Sequence, residues 1–231
     1  MFESTLPVGA PELMRVSAFR RYLDETVRGD RSTRLSSLSP TLSQDLARFD
    51  GPTLDTMEPL DVLAAALRHQ RGLVMHLQTD ARVVPLTVLP ARRAALCPMS
   101  TEQFLALRLS DLTVLHVEPA PPALDLGQTV PLGLIAWELA LRGARGELLP
   151  EIAGPAAYRI APGTEIDALH LTGSLAAAAE RLRRQTTNLR EIAAWPGFDR
   201  ERAMRLLNGL YLQAALIVSR THPSATHFGT R

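Results

Sequence analysis

The segment from Asn188 to about Leu216 constrains the fold of this chain more than any other. Asn188 stands three residues before Glu191, the spacing of a capping box, so a helix is expected to start there. Trp195-Pro196-Gly197 then brings together the two residue types that stop a helix. Asp199 follows as the N-cap of a longer helix expected to run to about Leu216, with Ala203, Leu207, Leu210, Tyr211 and Ala214 forming one stripe. Upstream, Ser174 can cap another helix, in which Leu175, Ala178, Ala179 and Leu182 share a face. A short helix, a Pro-Gly turn and a longer helix make a helix-turn-helix arrangement, and Ile217 and Val218 can extend it into a strand.

The rest of the chain reads as α+β. Prolines 119, 121 and 122 leave no room for a continuing helix or a central strand. We expect an N-terminal mixed domain over 1–118 with a small, largely antiparallel sheet. A Pro-rich connector over 119–129 and a mainly helical domain over 130–231 follow. In the first half, helices are expected from about Glu12 to Val27 and from Pro59 to near Gly72, the second with Leu60, Leu63, Ala64 and Leu67 on one face. Between the helices, Gly29 to Pro40 reads as an exposed loop. Alternation from Leu73 to Gln78 and the β-branched run Val83 to Leu89 predict a hairpin, and Pro85 predicts an edge position or a bulge for its second strand. Ser100 and Gln103 have capping-box spacing, and Leu112 to Val117 reads as a strand.

Composition removes several function classes. All 25 basic residues are arginine, a bias typical of a GC-rich bacterial genome, so a lysine Schiff base and a P-loop lysine are both excluded. The net charge of +1 gives no global attraction to nucleic acid or anionic lipid. Cys97 is the single cysteine and reads as a small buried apolar residue. His76 and His116 lie on predicted strands that could adjoin, but two histidines are a poor metal site. No cofactor motif is present, and none is expected. The N-terminus lacks the charged and apolar regions of a signal peptide, and the longest apolar run, Val130 to Leu141, is short for a membrane span, so a cytoplasmic location is expected.

That run, Leu132 to Leu141, is apolar almost all round, as a helix buried on several sides or in an interface would be. Leu134, Trp137 and Leu141 are the candidate contacts for another protein or a second copy. Glu138, its one charge, is four residues before Arg142 and reads as half of a helical ion pair. A DNA-binding alternative rests on the outer face of the last helix, where Arg202 and Arg205 are candidate nucleic-acid contacts beside Asn208 and Gln213. Gly209 and Leu212 on the same face, and Glu201 in the first turn, weaken it. An enzyme of an unrecognised type is the third reading.

The stretch Leu189 to Asp199, continued by Arg205 to Leu212, resembles the degenerate winged-helix modules that close bacterial signalling-output proteins. Among these are the PATAN-type domains linked to response regulators and twitching motility. The resemblance is confined to the C-terminal segment. It implies a regulatory or adaptor role through protein contacts, in signalling or motility control, with no catalytic residues to carry over.

Overall fold

The computed structural model describes residues 13–29, 58–121, 128–166, 169 and 171–225. Most of the predicted loop at 29–40, the centre of the connector and the last six residues lie outside them. The described chain is mixed α+β, with two antiparallel sheets.

Helix α1 (Val16–Gly29) precedes α2 (Pro59–His69), which carries proline in its first turn and ends at Gln70 in the left-handed region, φ 52°. The hairpin follows as β1 (Leu73–Thr79) and β2 (Arg82–Leu89), joined at Asp80-Ala81. Then come β3 (Ala94–Cys97), α3 (Thr101–Leu105) and β4 (Thr113–Pro119). The capping box of α3 is complete: the Gln103 amide donates to Ser100 Oγ at 3.2 Å, and the Ser100 amide donates to Gln103 Oε1 at 2.9 Å.

The larger sheet has the order β4-β1-β2-β3-β5, with β5 formed by Gln128–Pro131. β2 is thus an interior strand, contrary to the edge position expected from Pro85. The two facts are compatible because β3 joins β2 only from Thr87 onward, so at Pro85 no strand lies on that side to require the missing N–H. Leu73, Met75 and Leu77 point into a core shared with α2, while His76 faces the opposite side under α1.

The expected boundary at 119–129 does not separate two cores. β5 pairs with β3 across the whole strand, and the chain enters α4 (Leu132–Arg142) directly from it. Leu132, Ile135, Ala136, Leu139 and Ala140 of α4 complete the first core. Trp137, from the other side of the same helix, belongs to the second core with Leu148, Leu149, Tyr158, Leu206, Leu207 and Leu210. The all-round apolar pattern of α4 is therefore satisfied within one chain, because the helix is a wall common to two cores.

The second core is covered by β6 (Ala157–Ile160), α5 (Gly173–Arg184), β7 (Thr187–Asn188), α6 (Leu189–Ala193), α7 (Arg200–Leu212) and β8 (Leu216–Ser219). The strands form a sheet of order β7-β6-β8. Asn188 caps α6 by accepting from the Glu191 amide at 2.9 Å, and Asp199 caps α7 by accepting from the Arg202 amide at 2.7 Å. Ser174 caps nothing. α5 begins one residue earlier, behind Thr172, and the Ser174 hydroxyl instead accepts from Arg202. α7 stops at Leu212, short of the expected Leu216, because Ala214 turns into the left-handed region at φ 55°.

α4 and α7 meet at Gly209. A methyl group there would lie 2.7 Å from Cε3 and Cζ3 of Trp137, closer than packed carbons come. Gly209→Ala should therefore destabilise the protein although alanine favours helix, by about 1–2 kcal/mol net of overpacking against propensity. Urea denaturation followed by circular dichroism checks it, and a variant as stable as the wild type would show that the indole can shift at no cost.

Candidate functional site

The three residues expected to face a partner are mostly engaged inside the chain. Trp137 is 2% exposed against α7, Leu141 packs at the margin of the second core, and only part of Leu134 reaches solvent. The two arginines expected at nucleic acid are also engaged. Arg205 donates to the carbonyls of Leu141 (3.2 Å) and Gly143 (2.7 Å) and pairs with Glu201, so its charge sits at the C-terminal end of the α4 dipole. Arg202 donates to Ser174 Oγ at 2.9 Å and lies over the Phe198 ring. Asn208, expected on the outer face, is fully buried; it accepts from the Leu149 amide and donates to the Glu147 carbonyl. Residues 206 to 210 are buried in succession, so the middle of α7 has no open face to lay in a groove.

His76 and His116 are brought together as direct cross-strand partners, with ring centroids 5.8 Å apart. His76 Nε2 lies 3.0 Å from Glu118 Oε1, and its ring stacks on Phe19 of α1 at 4.7 Å. Among the described residues, no group of three or more His, Cys, Asp or Glu is placed to hold a metal ion. Cys97 is fully buried, and burial pushes its thiol pKa up. Glu138 pairs with Arg142 at 3.1 Å, as its spacing indicates.

A concavity among the described residues lies elsewhere, beside the second sheet. It is a cleft of about 650 Å³ between the loop at 147–156, the start of α6, the first turns of α7 and Ser224-Ala225. Its loop wall has no regular secondary structure, yet its carbonyls are held one by one. Arg145 donates to Glu147 and Leu148, Tyr158 to Ile152 at 2.7 Å, and Arg220 to Glu151, Ala153 and Pro155. Gly154 turns this wall at φ 89°, a conformation suited to glycine. The opposite wall is fixed by Asn188, whose Nδ2 donates to the Ser224 carbonyl at 3.0 Å while its Oδ1 caps α6.

Much of the lining is apolar, with Leu148, Pro155, Ala156, Leu189, Met204 and Ala225. Arg190 and Arg200 stand at the rim, exposed, and neither has a hydrogen-bond or ion-pair partner among the described residues. Glu147 is the one carboxylate among the described lining residues. Such a site favours a ligand with an apolar body and anionic groups. In the sequence, Arg190 and Arg200 stand ten residues apart with no motif joining them. Nothing local distinguishes them from Arg202 and Arg205, because the distinction lies in which tertiary carbonyls each one reaches.

No family model matches this chain, and no match was found among curated proteins or solved structures. No helix among the described residues is long and apolar enough to cross a membrane.

Proposed function

We propose that this chain is a non-catalytic regulatory or adaptor protein that works by holding a segment of another protein, in a signalling or motility setting. Its C-terminal unit would be a winged-helix-like scaffold of the signalling-output kind. The observation that carries the reading is the cleft: two guanidinium groups with no partner among the described residues beside an apolar lining, between walls already fixed by hydrogen bonds. Preorganised walls lower the ordering cost of binding, and unpaired arginines lose little on meeting a carboxylate. The arginines that a DNA-binding role would use hold α4 and α5 to α7 instead.

Fluorescently labelled acidic peptides containing one large apolar residue test this reading by anisotropy. The wild-type protein should bind them, with affinity falling as salt rises. Arg190→Glu/Arg200→Glu should lose about tenfold or more in affinity for each arginine, without a change in melting temperature. Equal binding by the variant would remove the cleft from the function. Salt-sensitive binding of duplex DNA that depends on Arg202 and Arg205 would instead support a transcription regulator.

A further inference from the structure

We propose that the chain forms a two-fold dimer by pairing β8 with β8 of a second copy, independently of what the cleft holds. Among the described residues β8 is an edge strand, bonded to β6 on its other side. The ladder parity shows what this edge offers. The Ala161 amide donates to the Ala215 carbonyl at 2.8 Å, so Ala161 and Ala215 form a hydrogen-bonded position. In an antiparallel ladder such positions alternate, so Ile217 and Ser219 bond to β6, while Leu216 and Val218 turn their N–H and C=O outward. Among the described residues no strand takes up these outward groups.

The spacing of these groups is self-complementary. With a two-fold axis at Ile217, Leu216 of one copy faces Val218 of the other, and each such pair exchanges two hydrogen bonds, giving four in all. The Ile217 side chains then meet as the central non-hydrogen-bonded pair, where side chains approach most closely. Ile217 is 44% exposed, one of three large apolar residues open to solvent among the described residues.

The other edges carry features that discourage such pairing. β4 has a register shift opposite His76/Leu77 and ends in Glu118-Pro119, β5 ends in Pro131, and β7 is two residues long. β8 reads Leu-Ile-Val-Ser without charge, proline or bulge, and Arg220 just beyond it is folded back onto the loop at 151–155. Pairing about a two-fold axis consumes this edge and stops at two chains.

Sedimentation equilibrium of the full chain from micromolar to near-millimolar concentration tests the proposal. The apparent mass should rise from one chain towards two, as expected for a small interface. Ile217→Lys places two like charges at the axis, and Val218→Pro removes an outward donor without touching the β6 ladder. Each should lose the rise in mass while keeping the wild-type circular dichroism spectrum. Hydrogen exchange on the wild type gives an independent reading, with the Leu216 and Val218 amides becoming protected as concentration increases. A wild type that is monomeric throughout, a dimer that survives both substitutions, or exchange at these two amides that ignores concentration would each overturn it.

Discussion

Replacing Trp137 by alanine should lower the unfolding free energy by about 3–5 kcal/mol, the range for removing a large aromatic from a core. The loss is placed there because the indole is 2% exposed, lies on the bare backbone of Gly209 and joins α4 to α7. The same contact predicts a change of sign that a general loss of packing would not give. In the Trp137→Ala background the space above Gly209 opens, so Gly209→Ala should become neutral or stabilising by up to about 1 kcal/mol. Urea denaturation of the four proteins in this cycle measures the coupling. If Gly209→Ala costs the same in both backgrounds, Trp137 is not what makes glycine necessary.

The second large effect concerns Asp61, which is almost fully buried on α2 and accepts from Arg145 Nη1 at 2.6 Å. Burial pushes its pKa from 3.8 to about 6, against the opposing pull of Arg145 and with a further push from Glu58. Because the folded protein holds this proton more tightly than the unfolded chain, the associated stability is complete below about pH 4 and is lost as pH rises through 6. Unfolding free energy should therefore fall between pH 4 and pH 7, by an amount on the order of 3 kcal/mol. Asp61→Asn should flatten that window. Arg145→Ala strands the carboxylate and also takes donors from the Glu147 and Leu148 carbonyls. It should cost about 3–5 kcal/mol at pH 7 and less at pH 5, where Asp61 can neutralise itself. Chemical denaturation at the two pH values decides, and a slope that persists in Asp61→Asn would assign the titration to another group.

Local chemistry accounts for what the sequence makes legible. The hairpin follows from alternation around Leu73, Met75 and Leu77, the caps at Ser100 and Asn188 follow from spacings of three residues, and the cap at Asp199 from its residue type before the longer helix. These features are decided within one or two turns of chain. β5 was not legible, because four residues ending in proline carry no strand signal and exist as a strand only through β3. The Trp137 face of α4 was ambiguous for a different reason: an apolar surface looks the same in sequence whether a second chain or a later part of the same chain covers it. The contacts of Arg202 with Ser174 and of Arg205 with the Leu141 and Gly143 carbonyls were not legible either, because a helical-face argument assumes one covered side, whereas α7 is packed on several. The cleft was the least legible feature. Its lining comes from four separated segments, and its wall is held by Arg145, Tyr158 and Arg220 reaching backbone carbonyls that have no side-chain identity to read.

The position of α4 between the two cores ties their stabilities together. Its Ile135 side belongs to the five-stranded sheet and its Trp137 side to the unit that carries the cleft. Severing the chain in 119–129 would leave one fragment without a sheet strand and a wall, and the other with an uncovered apolar helix. A ligand held in the cleft stabilises the folded state of everything that unfolds with it. If the proposed ligand binds at Arg190 and Arg200, amides in β1 and β2 should gain protection from exchange with it, on the far side of a helix the ligand would not touch.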